Sequence, residues 1–115
     1  DGVYDGVRVF EKKTVRTARR LETRGELDRR LLLPMDYSAG FMLGSGGLSL
    51  YGWNHPHAFG HLGLSNIFTW ADPDRQLVVA LITTGKPVLT PHVIALLGLV
   101  SSIHGTFPEI HGADD

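Results

Sequence analysis

Phe59-Gly60-His61-Leu62-Gly63-Leu64-Ser65-Asn66, with the two runs behind it, decides how this chain is read. Ile67-Phe68-Thr69-Trp70 is rich in β-branched and aromatic residues and predicts a strand. Ala71-Asp72-Pro73-Asp74-Arg75 has turn chemistry, because proline presets φ and the aspartates can accept from nearby backbone amides. Leu77–Thr84 opens with the apolar run Leu77-Val78-Val79-Ala80-Leu81-Ile82, the pattern of a strand buried on both faces. A histidine flanked by glycines, set just before such a hairpin, marks backbone that something approaches closely, since glycine has no Cβ to block the approach.

Working outward, Tyr37–Leu43 predicts a further strand, with Gly40 where a close neighbour or a bulge would want no side chain. Leu31-Leu32-Leu33-Pro34-Met35 reads as an apolar loop ended by proline, and Leu48-Ser49-Leu50-Tyr51 as a strand. Gly44-Ser45-Gly46-Gly47 is not a phosphate loop, because no Gly-Lys-Ser/Thr and no helix follow it. It reads as a hairpin loop between strands. At the C-terminal end, Thr90 as a cap, Pro91 in first position and Gly105 as a stop frame a helix over Pro91–Ile103. Val93, Ile94, Leu96, Leu97, Val100 and Ile103 give it a broad apolar face that needs a sheet to cover it. Residues 106–115 read as a flexible tail.

The order of these elements resembles the C-terminal portion of the serine β-lactamase and penicillin-binding protein superfamily, in its class C-like esterase and lipase branch. His61-x-Gly63 stands where β-lactamases carry Lys-Thr-Gly, on the strand that lines the active site. The strand, the Ala71-Asp72-Pro73 turn, the apolar strand and the closing helix follow in the family's order, and Tyr37-Ser38-Ala39-Gly40-Phe41 looks like its Tyr-x-x-Gly-Phe strand. Val9–Val15 falls where the family places the helix before that strand. The resemblance implies an α+β fold: an antiparallel sheet packed against a C-terminal helix and an N-terminal helix, with residues 1–115 as one segment of a β-lactamase-like domain.

The resemblance also implies chemistry. A serine attacks an ester or amide carbonyl with help from lysine and tyrosine, and an acyl-enzyme forms. The backbone N–H of Leu64 would be one oxyanion-hole donor, a group worth about 3 kcal/mol in the transition state. Gly63 would let the acyl group lie along the strand, and His61 and Leu62 would face substrate in place of the β-lactamase lysine and threonine. Exchanging a permanent cation for an imidazole, and a hydroxyl for an isobutyl group, favours neutral acyl esters over carboxylate-bearing antibiotics. An esterase or lipase parent is therefore expected, with a β-lactamase or D-alanyl peptidase parent, or a small non-catalytic α+β binding module, as the alternatives.

Two of the family's motifs are not in the chain. None of Ser38, Ser45, Ser49, Ser65, Ser101 and Ser102 has lysine three residues on, and Tyr4, Tyr37 and Tyr51 begin no Tyr-x-Asn. With Asp1 in first position, the expectation is a C-terminal piece, inactive alone, whose partner is the missing N-terminal half or a second copy of itself.

Composition narrows the other classes. A chain of 115 residues with 43% hydrophobic and 20% charged residues and a net charge of -1 is ordinary for a globular protein and has no global pull toward nucleic acid. Nine basic and four acidic residues fall between Arg8 and Arg30, where Glu11–Leu21 predicts a solvated surface helix; only Phe10 lies near for base stacking. The apolar stretch Val93–Val100 is too short to span a membrane. Without cysteine there is neither disulfide nor thiolate site, and the compartment stays open. His55-x-His57-x-x-x-His61 offers three imidazoles, but no acidic residue lies in that loop and Pro56 restricts it. It reads as a solvent-facing loop, His92 and His104 read as surface groups of the helix, and no metal or cofactor is expected.

Overall fold

The computed structural model describes residues 2–29, 33–63, 67–84 and 90–110. The chain opens with a hairpin of β1 (Val3–Tyr4) and β2 (Val7–Arg8), turned by Asp5 and Gly6, both at positive φ as the tight Asp-Gly turn requires. Helix α1 (Lys12–Ala18) buries no residue, so it is shorter than the predicted Glu11–Leu21 but as solvated. Strands β3 (Thr23–Asp28), β4 (Leu33–Tyr37) and β5 (Met42–Leu43) follow, then a separate small hairpin of β6 (Leu48–Ser49) and β7 (Gly52–Trp53). Strands β8 (Phe59–Leu62), β9 (Ile67–Asp72) and β10 (Leu77–Ile82) and the closing helix α2 (Thr90–Thr106) complete the order.

Six strands form one antiparallel sheet in the order β10-β9-β8-β5-β4-β3, and α2 packs on one of its faces. The fold class is thus the expected α+β arrangement. Leu33, Met35, Leu62, Phe68 and Trp70 point to the α2 side and join Val93 and Val100 of the helix, with Leu50, Tyr51 and Ala58 closing the core. Tyr51 stacks on Phe68 and its hydroxyl donates to the Met42 carbonyl at 2.7 Å, which satisfies the one polar atom that burying a tyrosine carries inward.

Several local expectations are corrected. Of the stretch read as a loop, Leu31 and Leu32 lie outside the described residues, and the rest belongs to strand β4, with Leu33 and Met35 turned inward and Pro34 outward, opposite Leu27. Tyr37–Leu43 is two strands rather than one: the Ser38 hydroxyl accepts from the amides of Gly40 and Phe41 and folds the chain into a hairpin. Leu50 and Tyr51 belong to the turn between β6 and β7, not to a strand. Strand β10 is half-buried on one face only: Leu77, Val79 and Leu81 lie toward α2, while Val78 and Ile82 are each 80% exposed. Helix α2 continues through Gly105 to Thr106, and Ile94, expected on its apolar face, is exposed. Of residues 106–115, those as far as Ile110 include two that contact the β9–β10 turn, the Ile110 amide donating to the Asp74 carbonyl at 2.9 Å and Arg75 reaching Glu109 at 3.3 Å, and residues 111–115 lie outside the described residues.

Candidate functional site

Strand β8 carries the His61-x-Gly63 motif between β5 and β9. Alternation splits it: Gly60 and Leu62 point to the α2 side, His61 to the opposite face, in register with Thr69. Gly60 is a packing glycine, because a Cβ there would run into the Thr69 carbonyl and Trp70. Leu62 is a core side chain, 8% exposed, so its isobutyl group is turned away from His61. His61 is exposed and shares its face with Phe59, Thr69, Ala71, Val78, Ala80 and Ile82. The Gly63 amide donates to the Ile67 carbonyl at 2.8 Å and holds the strand's end. Among the described residues a Cβ on Gly63 would meet only that carbonyl, at the ordinary distance of 3.5 Å. Nothing in the packing among the described residues requires glycine there. Leu64, the oxyanion-hole residue of the resemblance, lies outside the described residues.

Beside His61, Phe41 and Phe59 meet edge to face at 5.1 Å between ring centroids. The Arg19 guanidinium, one residue beyond α1, sits 4.5 Å from the Phe59 centroid and donates to the His57 carbonyl at 3.0 Å. This is how the N-terminal helix attaches to the sheet.

At the other end of the same strands lies a polar knot that the sequence did not reveal. Asp72 is fully buried; its Oδ2 accepts from Arg75 at 2.9 Å and from His55 Nδ1 at 3.2 Å, and its Oδ1 accepts from the Asp74 amide at 3.1 Å. Arg75 also lies 3.3 Å from His55 Nδ1, but that nitrogen can either donate to Asp72 or accept from Arg75. The buried carboxylate favours donation. His104 is buried rather than on the surface: Trp70 Nε1 donates to its Nε2 at 3.0 Å, which leaves Nδ1 protonated to donate to the Tyr51 carbonyl at 2.9 Å. The ring is thus the neutral Nδ1–H tautomer. Its pKa is lowered, chiefly by burial and next by the neighbouring His55.

The loop read as solvent-facing is therefore partly structural. His55 is buried, and His57 at the surface pairs with Asp74 at 2.9 Å. The acidic partners missing from the loop come from the turn seventeen residues on. Donor atoms of His55, Asp72 and His104 lie within 4.8 Å of one another, close enough for metal ligands. Both nitrogens of His104 are already bonded and a guanidinium occupies Asp72, so the set is a closed hydrogen-bond network rather than an open ligand set.

Two solved structures share this architecture. A penicillin-binding protein homologue from Caulobacter crescentus matches 84% of this chain at a TM-score of 0.62 and 25% identity, over 26% of its own length. A family VIII carboxylesterase matches 87% of this chain at a TM-score of 0.59 and 25% identity, over 27% of its own length. The chain thus spans about a quarter of each protein. No family model matches the sequence, and no curated protein does.

Proposed function

We propose that this chain, which has the fold of the C-terminal portion of serine β-lactamase-like proteins, belongs to a β-lactamase-related serine hydrolase: an esterase or lipase that works through an acyl-enzyme. One observation carries the reading: nearly the whole chain matches about a quarter of a carboxylesterase. The nucleophile and its lysine would come from the part of the protein that this chain does not contain. Here the chain contributes the motif strand. Leu64 would offer its backbone N–H to the oxyanion, and Gly63 would leave the acyl group the space that a Cβ would fill. His61 would face the substrate from the exposed side of β8. Leu62, with its side chain in the core, would contribute through its backbone.

Two features support an absent larger part. Within the described residues β10 is the edge of the sheet, pairs with β9 alone, and has no charge, proline or bulge to blunt it. The face carrying Ile67, Val78 and Ile82 is bare. Covering that edge and face is the role of the upstream half, or in the isolated chain of a second copy.

The test has two arms. The 115-residue chain alone is expected to turn over neither p-nitrophenyl esters nor nitrocefin above buffer and to take no label from a fluorophosphonate probe. A longer reading frame that includes Ser-x-x-Lys is expected to hydrolyse p-nitrophenyl butyrate in preference to nitrocefin. The converse preference would point to a β-lactamase or peptidase. Stoichiometric labelling of a serine in the chain alone, or a natural reading frame without the Ser-x-x-Lys region, would refute the proposal and leave a binding module.

A further inference from the structure

On the side of the sheet that carries Asp36 and Leu43, which is also the side of Phe59 and His61, lies a groove of about 620 Å³ that the polar knot does not use. Its walls are the end of α1, strands β3 to β5 and the loop Gly44–Leu48. That loop is fixed: Gly44 donates to the Ala58 carbonyl at 2.7 Å, His55 to the Ser45 carbonyl at 3.0 Å and Asn54 to the Gly47 carbonyl at 3.1 Å.

The charges in the groove are not settled among themselves. Arg19 is half-buried over Phe59, yet its hydrogen-bond acceptor is a main-chain carbonyl, and among the described residues no carboxylate pairs with it. Burial lowers its pKa, and Asp74, the carboxylate whose field opposes that, is held by both oxygens on His57. A guanidinium carries five N–H donors, so most of its capacity remains for a ligand. Arg24, exposed on β3, lines the same groove and has no partner among the described residues. Opposite them Asp36 accepts the Gly25 amide on Oδ1, which leaves Oδ2 as an acceptor at the wall. Leu21, Leu43 and Pro34 supply apolar surface between.

We propose that this groove binds an N-acylated amino acid. Arg19 and Arg24 take the carboxylate, Asp36 accepts the amide N–H, and the apolar wall takes the side chain. Two cations against one carboxylate suit a monoanion that also has a donor. A dianion would be repelled by Asp36, and a neutral ester would leave Arg19 unpaired. The residues that line the groove all belong to this chain, so its binding is read separately from hydrolysis by a larger parent.

The experiment is an NMR titration of the 115-residue chain with N-acetyl-leucine, following the amides of Gly44, Gly46 and Gly47. Saturable shifts are expected, with affinity near millimolar, as for a small exposed anion site (about 4 kcal/mol). Arg19→Gln is expected to weaken binding about tenfold, the loss of a charge-assisted pair. Arg24 is exposed and makes no hydrogen bond or ion pair with another described residue, so Arg24→Gln is expected to leave the fold intact, and it must weaken binding too. Asp36→Asn is expected to weaken N-acetyl-leucine but not 4-methylpentanoate, which lacks the amide. N-acetyl-leucinamide should not bind. Equal binding of acid and amide, unchanged affinity in Arg24→Gln, or no saturable shift would each overturn the proposal.

Discussion

Replacing Asp72 by asparagine tests whether the buried knot holds β9, β10 and the end of α2 together. Asp72 has no exposed surface and accepts from Arg75 at 2.9 Å, from His55 at 3.2 Å and from the Asp74 amide at 3.1 Å. Asparagine keeps an oxygen for the Asp74 amide but turns an NH2 toward Arg75 and the His55 N–H, so donors face donors. Arg75 is left with Glu109 at 3.3 Å, and its Nε already lacks a partner. Breaking a buried ion pair by removing one member costs about 3–5 kcal/mol. Glu109 can take up some of the stranded charge, which places Asp72→Asn near the lower figure, about 3 kcal/mol. At roughly 4 °C per kcal/mol for a domain of this size, Tm should fall by about 12 °C. If the chain has less stability than that to lose, the variant is unfolded at 25 °C and its near-UV circular dichroism is flat. Glu109→Gln is the control: its side chain is 43% exposed, and an exposed pair contributes about 1 kcal/mol or less. A melt of Asp72→Asn within 1 kcal/mol of the parent chain (about 4 °C), or no lower than that of Glu109→Gln, would refute the reasoning.

Gly60→Ala should destabilise by about 3 kcal/mol, because the neighbours of its new Cβ are the backbone and Cβ of β9, whereas Gly46→Ala, with nothing within 4 Å, should stay within about 0.5 kcal/mol; urea melts compare them. The lowered pKa of His104 means that below pH ~6.5 the unfolded chain takes up a proton that the folded chain refuses. Stability should therefore decline as pH falls from there to the folded pKa, by at most about 1.4 kcal/mol per pH unit for this group, and His104→Gln should flatten the slope in melts at stepped pH. In a longer, active protein Gly63→Val should lower kcat and kcat/KM together by about two orders of magnitude, while His92→Ala, on the exposed side of α2, leaves both unchanged; steady-state kinetics on p-nitrophenyl butyrate decide it.

Beyond the fold class and the order of the elements, what the sequence made legible was local. The Asp72-Pro73 turn forms as its chemistry dictates: Asp72 caps it through its side chain, Pro73 takes the first position, and Gln76 closes it in the left-handed region. Helix α2 begins within a residue of its expected start, with Pro91 in its first turn. Strand β4 was missed because Pro34 looked like a terminator, although on its outward position the alternation of Leu33, Met35 and Tyr37 continues through it. The polar knot was missed because its partners are far apart in the chain, seventeen residues for His55–Asp72 and thirty-four for Trp70–His104. One signal did exist for His104. It lies four residues after Val100 and eleven after Val93, on the stripe that α2 buries, where a histidine must find partners.

Strand β10 joins the two levels. Its sequence is apolar at six successive positions, the composition of a strand covered on both sides, while its structure is half-buried on one side and bare on the other. Composition reflects the environment in which a strand works. The two agree if a further layer lies over Val78 and Ile82, on the face where His61 stands. A layer placed there would also close over His61 and the end of β8 at Gly63, turning an exposed strand end into the wall of a cleft. On the proposed hydrolase reading, cover for the apolar face and a nucleophile for the motif strand would come together, and the longer reading frame tests both.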